Sequence, residues 1–540
     1  MQLSRRSLLG AGLGVAATVG LVGCGGSGGG SSSEGGFSAG RAAEPPTYIP
    51  YEQVTPDLAG NENGLPNAYF TYPENPVQRE GFPLEAASAP VVGLFQGMSV
   101  VNGRDKNPWW QQHEKATGAT WDLQSTISAQ WNDKQSVVLA GQDLPDLMML
   151  TKTPQFPALL DKMFVNLSDF LAGDKIADYP GLASISTASW REATLNGSIF
   201  GIPNPRVPIG NIVSTRGDLL AERGIDASPT VNSGEDLMDL FKELSNSREN
   251  RFAMGALPSS WALSAAREMT GTPNMWREEG GRFTHMYETD EFVAALEVTV
   301  EMWKAGILHP ESFTGSNIEW WTGGVTSVYI QNVAGWSQFA TSNPDWNVGI
   351  IRLPKWDGGG PAPKLLGVAA YGAPVAIKKA DDDRVVELLK MIDYIASPFG
   401  TREFLEVNFG VKDRDYTMEG TEPKPNTDVT KADQLPGVVY AGGQRAGSLY
   451  VPGKPEVVKE QHAVFSEMLA DPSINPAGGL YSESEASKAS APNAKLQDLI
   501  GEIIQGRQQL TAWKPAIDSW VTDVGDAMRN EYAEAFAASK

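Results

Sequence analysis

Two neighbouring stretches decide the fold: residues 107–123, NPWWQQHEKATGATWDL, and residues 137–150, VVLAGQDLPDLMML. The first predicts a helix from Trp109 through Lys115, which stops at a Thr-Gly pair and leads into a strand. The second predicts the end of another helix, closed by a glycine, and then a buried strand. An apolar run at residues 91–95 predicts a strand before both. This alternation of strands and helices indicates an α/β protein with a mainly parallel sheet.

The same alternation recurs towards the carboxyl terminus. Residues 252–257 predict a strand that is followed by a helix over residues 261–269, and residues 325–330 predict a further strand. Amphipathic helices are predicted over residues 385–395, 455–470, 495–507 and 513–536.

Further motifs follow in a fixed order: GSIFGIPNPRVPIGNIVSTRGDLLAERGID at residues 197–226, GGRFTHMYETDEFVAALEVTVEMWKAGILHPESFT at residues 280–314, and YIASPFGTREFLEVNFGVKDRDYTMEG at residues 394–420. Each motif is loose, but their order and spacing together are specific. The chain resembles the extracellular solute-binding proteins of sugar ABC transporters. It is most similar to the large oligosaccharide-binding lipoproteins, which include alginate-binding proteins.

The resemblance implies a fold of two α/β lobes, each a mainly parallel sheet flanked by helices, with a ligand cleft and a hinge between them. The N-terminal lobe is predicted to comprise residues 91–212 and 372–430. The C-terminal lobe is predicted to comprise residues 213–371 and 431–540.

The start of the chain has the layout of an export signal. Arg5 and Arg6 precede an uncharged apolar run over residues 8–22, which is shorter than the roughly 20 residues of a membrane-spanning helix. The arginine pair fits a twin-arginine signal and also an ordinary Sec signal. Leu-Val-Gly-Cys resembles the bacterial lipoprotein cleavage box. Residues 1–23 are therefore predicted to be a signal peptide, and Cys24 is predicted to carry a lipid at the extracytoplasmic face of the cell membrane.

Two segments separate the predicted anchor from the body. Residues 24–36 are almost all glycine and serine and predict a flexible tether. Residues 37–90 are rich in proline, asparagine and glycine and predict an extended arm. Whether this arm lies on the body stays open.

Charge and composition narrow the classes of partner. The net charge is −22, which argues against nucleic acid as a partner because such a body repels phosphate. The charge also disfavours a strongly anionic ligand, unless a local basic pocket overcomes it. The four histidines are far apart and no EF-hand ladder occurs, so the sequence indicates no metal and no cofactor. The 15 tryptophans favour carbohydrate, because indole faces stack on the C–H groups of sugars.

Ligands of α/β sheets lie beyond the carboxyl ends of the strands. That rule, together with the resemblance, predicts a ligand-binding set of Trp109, Trp110, Thr151, Arg206, Ser259, Ser260, Trp261, Asn332, Trp336 and Tyr371. The resemblance implies sugar-stacking positions near Trp261 and Trp336. Packing in the core is the alternative for each tryptophan, and a salt bridge is the alternative for Arg206, which can also donate paired hydrogen bonds to hydroxyls or a carboxylate.

These features predict the substrate-binding lipoprotein of an ABC importer, which captures an oligosaccharide by stacking and hydrogen bonding and delivers it to separate permease subunits. A monomer is expected, and no catalytic residue is predicted. Two alternatives stay open. The same fold can bind a peptide or an anionic sugar, or the protein is a surface glycan-active enzyme, which requires two carboxylates flanking the scissile bond.

Overall fold

The structure is a computed structural model that describes residue 37 and residues 43–97, 101–315, 317–435 and 437–540. The predicted signal peptide, the tether and Cys24 lie outside the described residues. Within the described ranges, no helix combines the length and the apolar character that crossing a bilayer requires.

Two sheets organise the described part of the chain. Their strands, numbered in chain order, are β1 (Val91–Gln96), β2 (Trp121–Thr126), β3 (Leu147–Met149), β4 (Asn211–Thr215), β5 (Phe252–Met254), β6 (Thr326–Asn332), β7 (Gly349–Ile351) and β8 (Val375–Ile377). The first sheet has the order β8-β3-β1-β2, and the second has the order β7-β4-β6-β5. Short strands pair elsewhere: Asn67–Ala68 with Ser448–Leu449, Thr194–Leu195 with Ser198–Ile199, Trp276–Glu279 with Arg282–His285, Lys364–Leu365 with Pro472–Ser473, and Tyr416–Glu419 with Glu422–Pro425.

Helices flank both sheets. Those of eight residues or more are α1 (Pro108–Thr117), α2 (Trp131–Gly141), α3 (Phe156–Met163), α4 (Gly234–Glu243), α5 (Asp290–Lys304), α6 (Ala334–Ser342), α7 (Asp382–Ile395), α8 (Arg402–Phe409), α9 (Pro455–Met468), α10 (Ser490–Ile504), α11 (Trp513–Trp520) and α12 (Asp526–Ala538). Shorter helices span Ser168–Leu171, Pro180–Ala183, Thr187–Glu192, Gly217–Ala221, Leu263–Met269, Asn317–Thr322, Thr427–Asp433 and Glu483–Lys488. The helix predicted over residues 513–536 is two helices, α11 and α12, with a π-type turn between them.

Local signals explain where α1 begins and ends. The side chain of Asn107 accepts a hydrogen bond from the backbone N–H of Trp110 and so caps the first turn. Pro108 occupies the first helical position, where no backbone N–H is needed. Gly118 ends the helix with a φ of 68°, a conformation that glycine adopts without strain.

The strand pairing confirms the α/β class, with one refinement. In the first sheet β1 is parallel to β2 and β3, and β8 is antiparallel to β3. In the second sheet β6 is parallel to β5, but β4 is antiparallel to β6 and β7. In each sheet three of the four strands therefore run in the same direction, as predicted, and one strand is reversed, β8 in the first sheet and β4 in the second. The reason is that β4 and β8 each enter from the other sheet directly, without the crossover helix that parallel neighbours require.

Each sheet has a hydrophobic core of its own. The first core packs helices α1, α2, α3 and α7 against β1, β2, β3 and β8. The second joins α4, α5, α10, α11 and α12 to β4, β5 and β6. The division into lobes stays a prediction. Leu435, Val438 and Ala441 pack in the first core, beyond the predicted change of lobe after residue 430.

Two chain segments, residues 202–210 and 367–375, cross between the sheets as an antiparallel ladder. Its contacts are the bridges Ile202–Val375 and Pro205–Ala370, and hydrogen bonds of 2.8 Å from the Tyr371 N–H to the Asn204 carbonyl and from the Gly367 N–H to the Pro208 carbonyl. We call these two segments the hinge ladder. A Cβ on Gly367 would lie 2.9 Å from the Cα of Gly210, so glycine permits this close approach of the two segments.

The described part of the arm lies against the body. The strand Asn67–Ala68 pairs with Ser448–Leu449, and further along the guanidinium of Arg79 forms a buried ion pair with Asp393. Arg79 also donates to the Ser397 hydroxyl at 2.8 Å, so its buried charge is compensated. The arm is thus part of the folded body rather than a free segment.

Candidate functional site

A cavity of about 560 Å³ lies beside the hinge ladder and is called the larger cavity here. It is lined from the hinge ladder by Arg206, Val207 and Tyr371; from the end of β6 and helix α6 by Asn332, Val333, Ala334, Ser337, Gln338, Thr341 and Ser342; and from the rest of the chain by Phe399, Phe404, Phe409, Pro423, Pro425, Arg445, Ala446, Ser448, Leu449, Tyr450, Val451, Pro452, Gln461 and Phe465. The cavity therefore lies at the carboxyl end of β6, where the strand-end rule places ligands.

Helix α6 gives the larger cavity its polar side. The Asn332 side chain accepts the Ala334 N–H at 3.1 Å where β6 ends and the helix begins. Ser337 and Thr341 are four residues apart and so lie on the same face of the helix, which lines the cavity. The Gln461 amide of α9 donates to the Ser337 hydroxyl at 2.9 Å. Hydroxyl and amide groups on this face can hydrogen-bond a polar ligand.

Aromatic rings form another side of the larger cavity. Phe399, Phe404 and Phe409 line it, and Tyr371 stacks on Tyr440 with ring centroids 5.7 Å apart and an interplanar angle of 8°. Tyr371 is 43% exposed, so its ring is accessible to a ligand. Burial, helped by the neighbouring Tyr371 phenol, raises the pKa of Tyr440 to about 12. Tyr440 is therefore neutral at physiological pH, and the two stacked rings offer flat apolar surface.

Two arginines are the charged groups among the described residues that line the larger cavity. The Nε of Arg206 donates to the Val368 carbonyl at 3.1 Å, and burial lowers the pKa of this guanidinium. Arg445 lies over the Phe409 ring, 5.2 Å from its centroid. No carboxylate lines the cavity within the described part of the chain.

A second cavity, of about 210 Å³, lies where the chain leaves β5 and is called the smaller cavity here. Its walls are Asn211, Ser259, Ser260, Leu263, Ser264, Arg267, Met286, Tyr287, Phe292, Gln497 and Ile500. Burial lowers the pKa of Arg267, and its Nε has no hydrogen-bond partner among the described residues. This cavity thus combines a cation with hydroxyl and amide groups.

No protein-family model matches the sequence. The chain is 20% identical over 457 residues to the Bacillus subtilis (strain 168) lipoprotein LipO, a match that covers 81% of this chain and 90% of LipO. It is 19% identical over 447 residues to the polygalacturonan/rhamnogalacturonan-binding protein YtcQ of the same strain, with 79% and 87% covered. A solved HMO binding ABC-transporter associated solute binding protein from Bifidobacterium longum infantis superposes with a TM-score of 0.60, at 12% identity, over 84% of this chain and 100% of that one.

The chain has the fold of the extracellular solute-binding proteins of ABC transporters. This confirms the resemblance and the fold class that the sequence indicates. The fold is one that binding proteins use, and YtcQ and the B. longum protein are both named for binding rather than for catalysis.

In this solute-binding fold, half of the ten predicted site residues line a cavity. Arg206, Asn332 and Tyr371 meet at the larger cavity, and Ser259 and Ser260 line the smaller one. Asn332, Ser259 and Ser260 lie at or after the ends of β6 and β5, as the strand-end rule requires, and Arg206 and Tyr371 lie on the hinge ladder.

Two other predicted residues lie outside both cavities. Thr151 has its N–H and its hydroxyl bonded to the side-chain oxygen of Gln135, at 2.9 and 3.1 Å. Trp261 is half-buried and packs against the second core. A ligand role for either residue stays a prediction.

The remaining three tryptophans lie in hydrophobic cores, which is the alternative that the sequence left open for each of them. Trp109, Trp110 and Trp336 are 4%, 8% and 0% exposed and belong to hydrophobic cores. Trp336 points from α6 towards α9, edge-on to Phe465 at 6.3 Å, while Ser337 on the next position faces the cavity. These large rings are buried because they lie on the apolar faces of amphipathic helices.

Sequence reasoning missed several residues of the site. Phe399, Phe404 and Phe409 fall within the quoted motif at residues 394–420, and their five-residue spacing matches neither a helix nor a strand. Arg267 lies on a helix without any pattern that marks it. Within the described ranges, no group of three or more histidine, cysteine or acidic side chains could hold a metal ion.

Proposed function

We propose that the protein is the substrate-binding component of an ABC importer, which captures an oligosaccharide and delivers it to separate permease subunits. The observation that carries the proposal is the larger cavity. It lies at the hinge ladder of a solute-binding fold and combines the accessible ring of Tyr371 with hydroxyl and amide groups. That combination suits a sugar, which presents flat C–H faces and hydroxyls on the same ring.

Capture uses two kinds of contact. Stacking on Tyr371 supplies affinity that tolerates related sugars, because every pyranose ring has an apolar face. Hydrogen bonds with the Asn332 side chain and the polar face of α6 supply discrimination, because an analogue that lacks a hydroxyl leaves a polar partner unpaired. Bending at the hinge ladder closes the lobes, and closure shields these contacts from water.

The same proposal includes the anchor. Cys24 carries the lipid, and residues 24–36 tether the body to the extracytoplasmic face of the membrane. A tether of this length reaches at most about 45 Å when fully extended. The body acts there as a monomer that docks on the permease, with lobes divided as the sequence predicts except that Leu435, Val438 and Ala441 pack with the first core. The LipO similarity supports the anchor, since LipO is named a lipoprotein.

A glycan-active enzyme is the weaker alternative. It needs two carboxylates flanking the scissile bond, and no aspartate or glutamate lines either cavity within the described residues.

The test is thermal unfolding of the full-length chain against a panel of neutral and acidic oligosaccharides. A ligand present at about 100 times its Kd adds about 2.7 kcal/mol of stability. We expect a raised unfolding midpoint with one class of glycan and no new reducing ends after prolonged incubation. Cleaved products would support an enzyme instead, and an unchanged midpoint across the panel would overturn the assignment to sugars.

A further inference from the structure

We propose that the captured ligand is an acidic oligosaccharide, whose carboxylates are bound by Arg206 and Arg445 in the larger cavity and by Arg267 in the smaller one. This inference rests on the proposed function and names the class of sugar. Sugar carboxylates are planar anions, and a guanidinium binds such groups with two parallel hydrogen bonds.

The first argument is a local reversal of charge. The sequence has 65 acidic and 43 basic residues, so acidic side chains predominate over the molecule as a whole. Among the described residues that line the two cavities, the order is reversed: three arginines occur there and no aspartate or glutamate. In an acidic protein, a site with only positive side chains attracts anions that the rest of the surface repels.

The second argument is that carboxylates close to the site already have partners. Glu268, the neighbour of Arg267 in sequence, forms a buried ion pair with Lys364 at 2.6 Å. Glu422 accepts a hydrogen bond from the Tyr450 hydroxyl, and Glu192 accepts the Ala369 N–H at 3.4 Å. Among the described residues, none of these carboxylates forms an ion pair with the three arginines, and Glu192 acts on Arg206 only as a nearby negative charge.

The arginines, by contrast, keep donors for a ligand. The hydrogen bond of Arg206 is made by Nε, which leaves its two terminal nitrogens for a carboxylate. Arg445 makes one long bond, 3.4 Å, from a terminal nitrogen to the Asn408 carbonyl. The Nε of Arg267 has no hydrogen-bond partner in the part of the chain that the structure describes, and a buried donor without a partner is costly until a ligand satisfies it.

The third argument is that the two cavities are neighbours. Asn332 lines the larger cavity and Asn211 lines the smaller one. The two asparagines are direct partners in the β6–β4 ladder, so their Cα atoms are about 5 Å apart. One extended ligand can therefore reach both cavities, and a polymer with a carboxylate on each sugar presents a charge to each.

Calorimetric titration of the full-length chain tests this inference. The probes are tetramers of galacturonate, mannuronate and glucuronate, the fully methyl-esterified galacturonate tetramer, and neutral galactotetraose. We expect at least one uronate tetramer to bind about tenfold or more tightly than the uncharged probes, and its affinity to fall as sodium chloride is raised. If an uncharged probe binds equally or more tightly, the acidic class is wrong while the proposed function stands. If no sugar binds, the proposed function fails with it.

Variants of the arginines provide the second test. Arg445→Gln and Arg267→Gln are each expected to weaken uronate binding about tenfold and binding of the uncharged probes less than twofold. Arg282→Gln is the matched control, because Arg282 is exposed and lines neither cavity. Arg445→Lys, which keeps the charge but not the paired geometry, should recover part of the affinity at an unchanged unfolding midpoint. An equal loss for charged and uncharged probes would overturn the inference.

Discussion

The larger and the smaller cavity lie at the ends of adjacent parallel strands, β6 and β5, yet the side chains that line them differ in polarity. The larger cavity is lined by aromatic rings that also belong to a hydrophobic core. The smaller one is walled by hydroxyl and amide groups around an arginine. The difference indicates a division of roles. The walls of the larger cavity hold the fold together and stack on the ligand, whereas those of the smaller cavity mainly provide hydrogen bonds.

Truncating a ring in the wall of the larger cavity is expected to have the largest effect. Phe404 is 2% exposed and packs edge-on against Phe399, with centroids 5.3 Å apart. Phe404→Ala should lower the free energy of unfolding by about 3–5 kcal/mol, because it leaves a cavity in a packed core. Urea unfolding measures the loss. Ser264→Ala in the smaller cavity is the control and should change stability by about 0.5 kcal/mol or less. Comparable losses at the two positions would contradict the division of roles.

An exposed ring of the larger cavity should behave in the opposite way. Tyr371→Ala removes a stacking surface, so the affinity for the tightest-binding oligosaccharide of the panel should fall about tenfold while the free energy of unfolding changes little. Tyr371→Phe keeps the ring and should retain most of the affinity. In the smaller cavity, Ser260→Ala removes one hydroxyl and should weaken binding about threefold. Titration calorimetry gives all three values, and a greater loss for Ser260→Ala would reverse the comparison.

The sequence predicts the scaffold of this site better than its chemistry. Strand ends and crossovers follow from periodicity and glycine signals, and these place Arg206, Asn332 and Tyr371 at the larger cavity. Trp336 shows what the sequence does not predict, namely which way a side chain on a helix points. It lies four residues beyond Asn332 at an equally plausible position, and only the packing of α6 on α9 turns its ring into the core. Arg267 and Arg445 are likewise not predictable, because their roles depend on which carboxylates surround them after folding.

The smallest effect concerns ionisation of Tyr440, which stacks on Tyr371 at the larger cavity, and it is measurable only above pH 10. The pKa of Tyr440 is raised to about 12 from an ordinary value of 10. The folded state therefore holds its proton more tightly than the unfolded state. The stability from this group is fully present below pH 10 and is lost as the pH rises to about 12.

Comparison with Tyr440→Phe isolates the contribution of Tyr440 to the pH dependence of stability, because the other buried tyrosines titrate in both proteins. We expect the difference in unfolding free energy between the wild type and the variant to be constant up to pH 10. Above pH 10 the wild type should lose unfolding free energy relative to the variant. A parallel course of the two proteins up to pH 12 would mean that water reaches the Tyr440 phenol and that burial does not raise its pKa. The ring behind Tyr371 would then be polar and hydrated, and this side of the larger cavity would differ less from the smaller one.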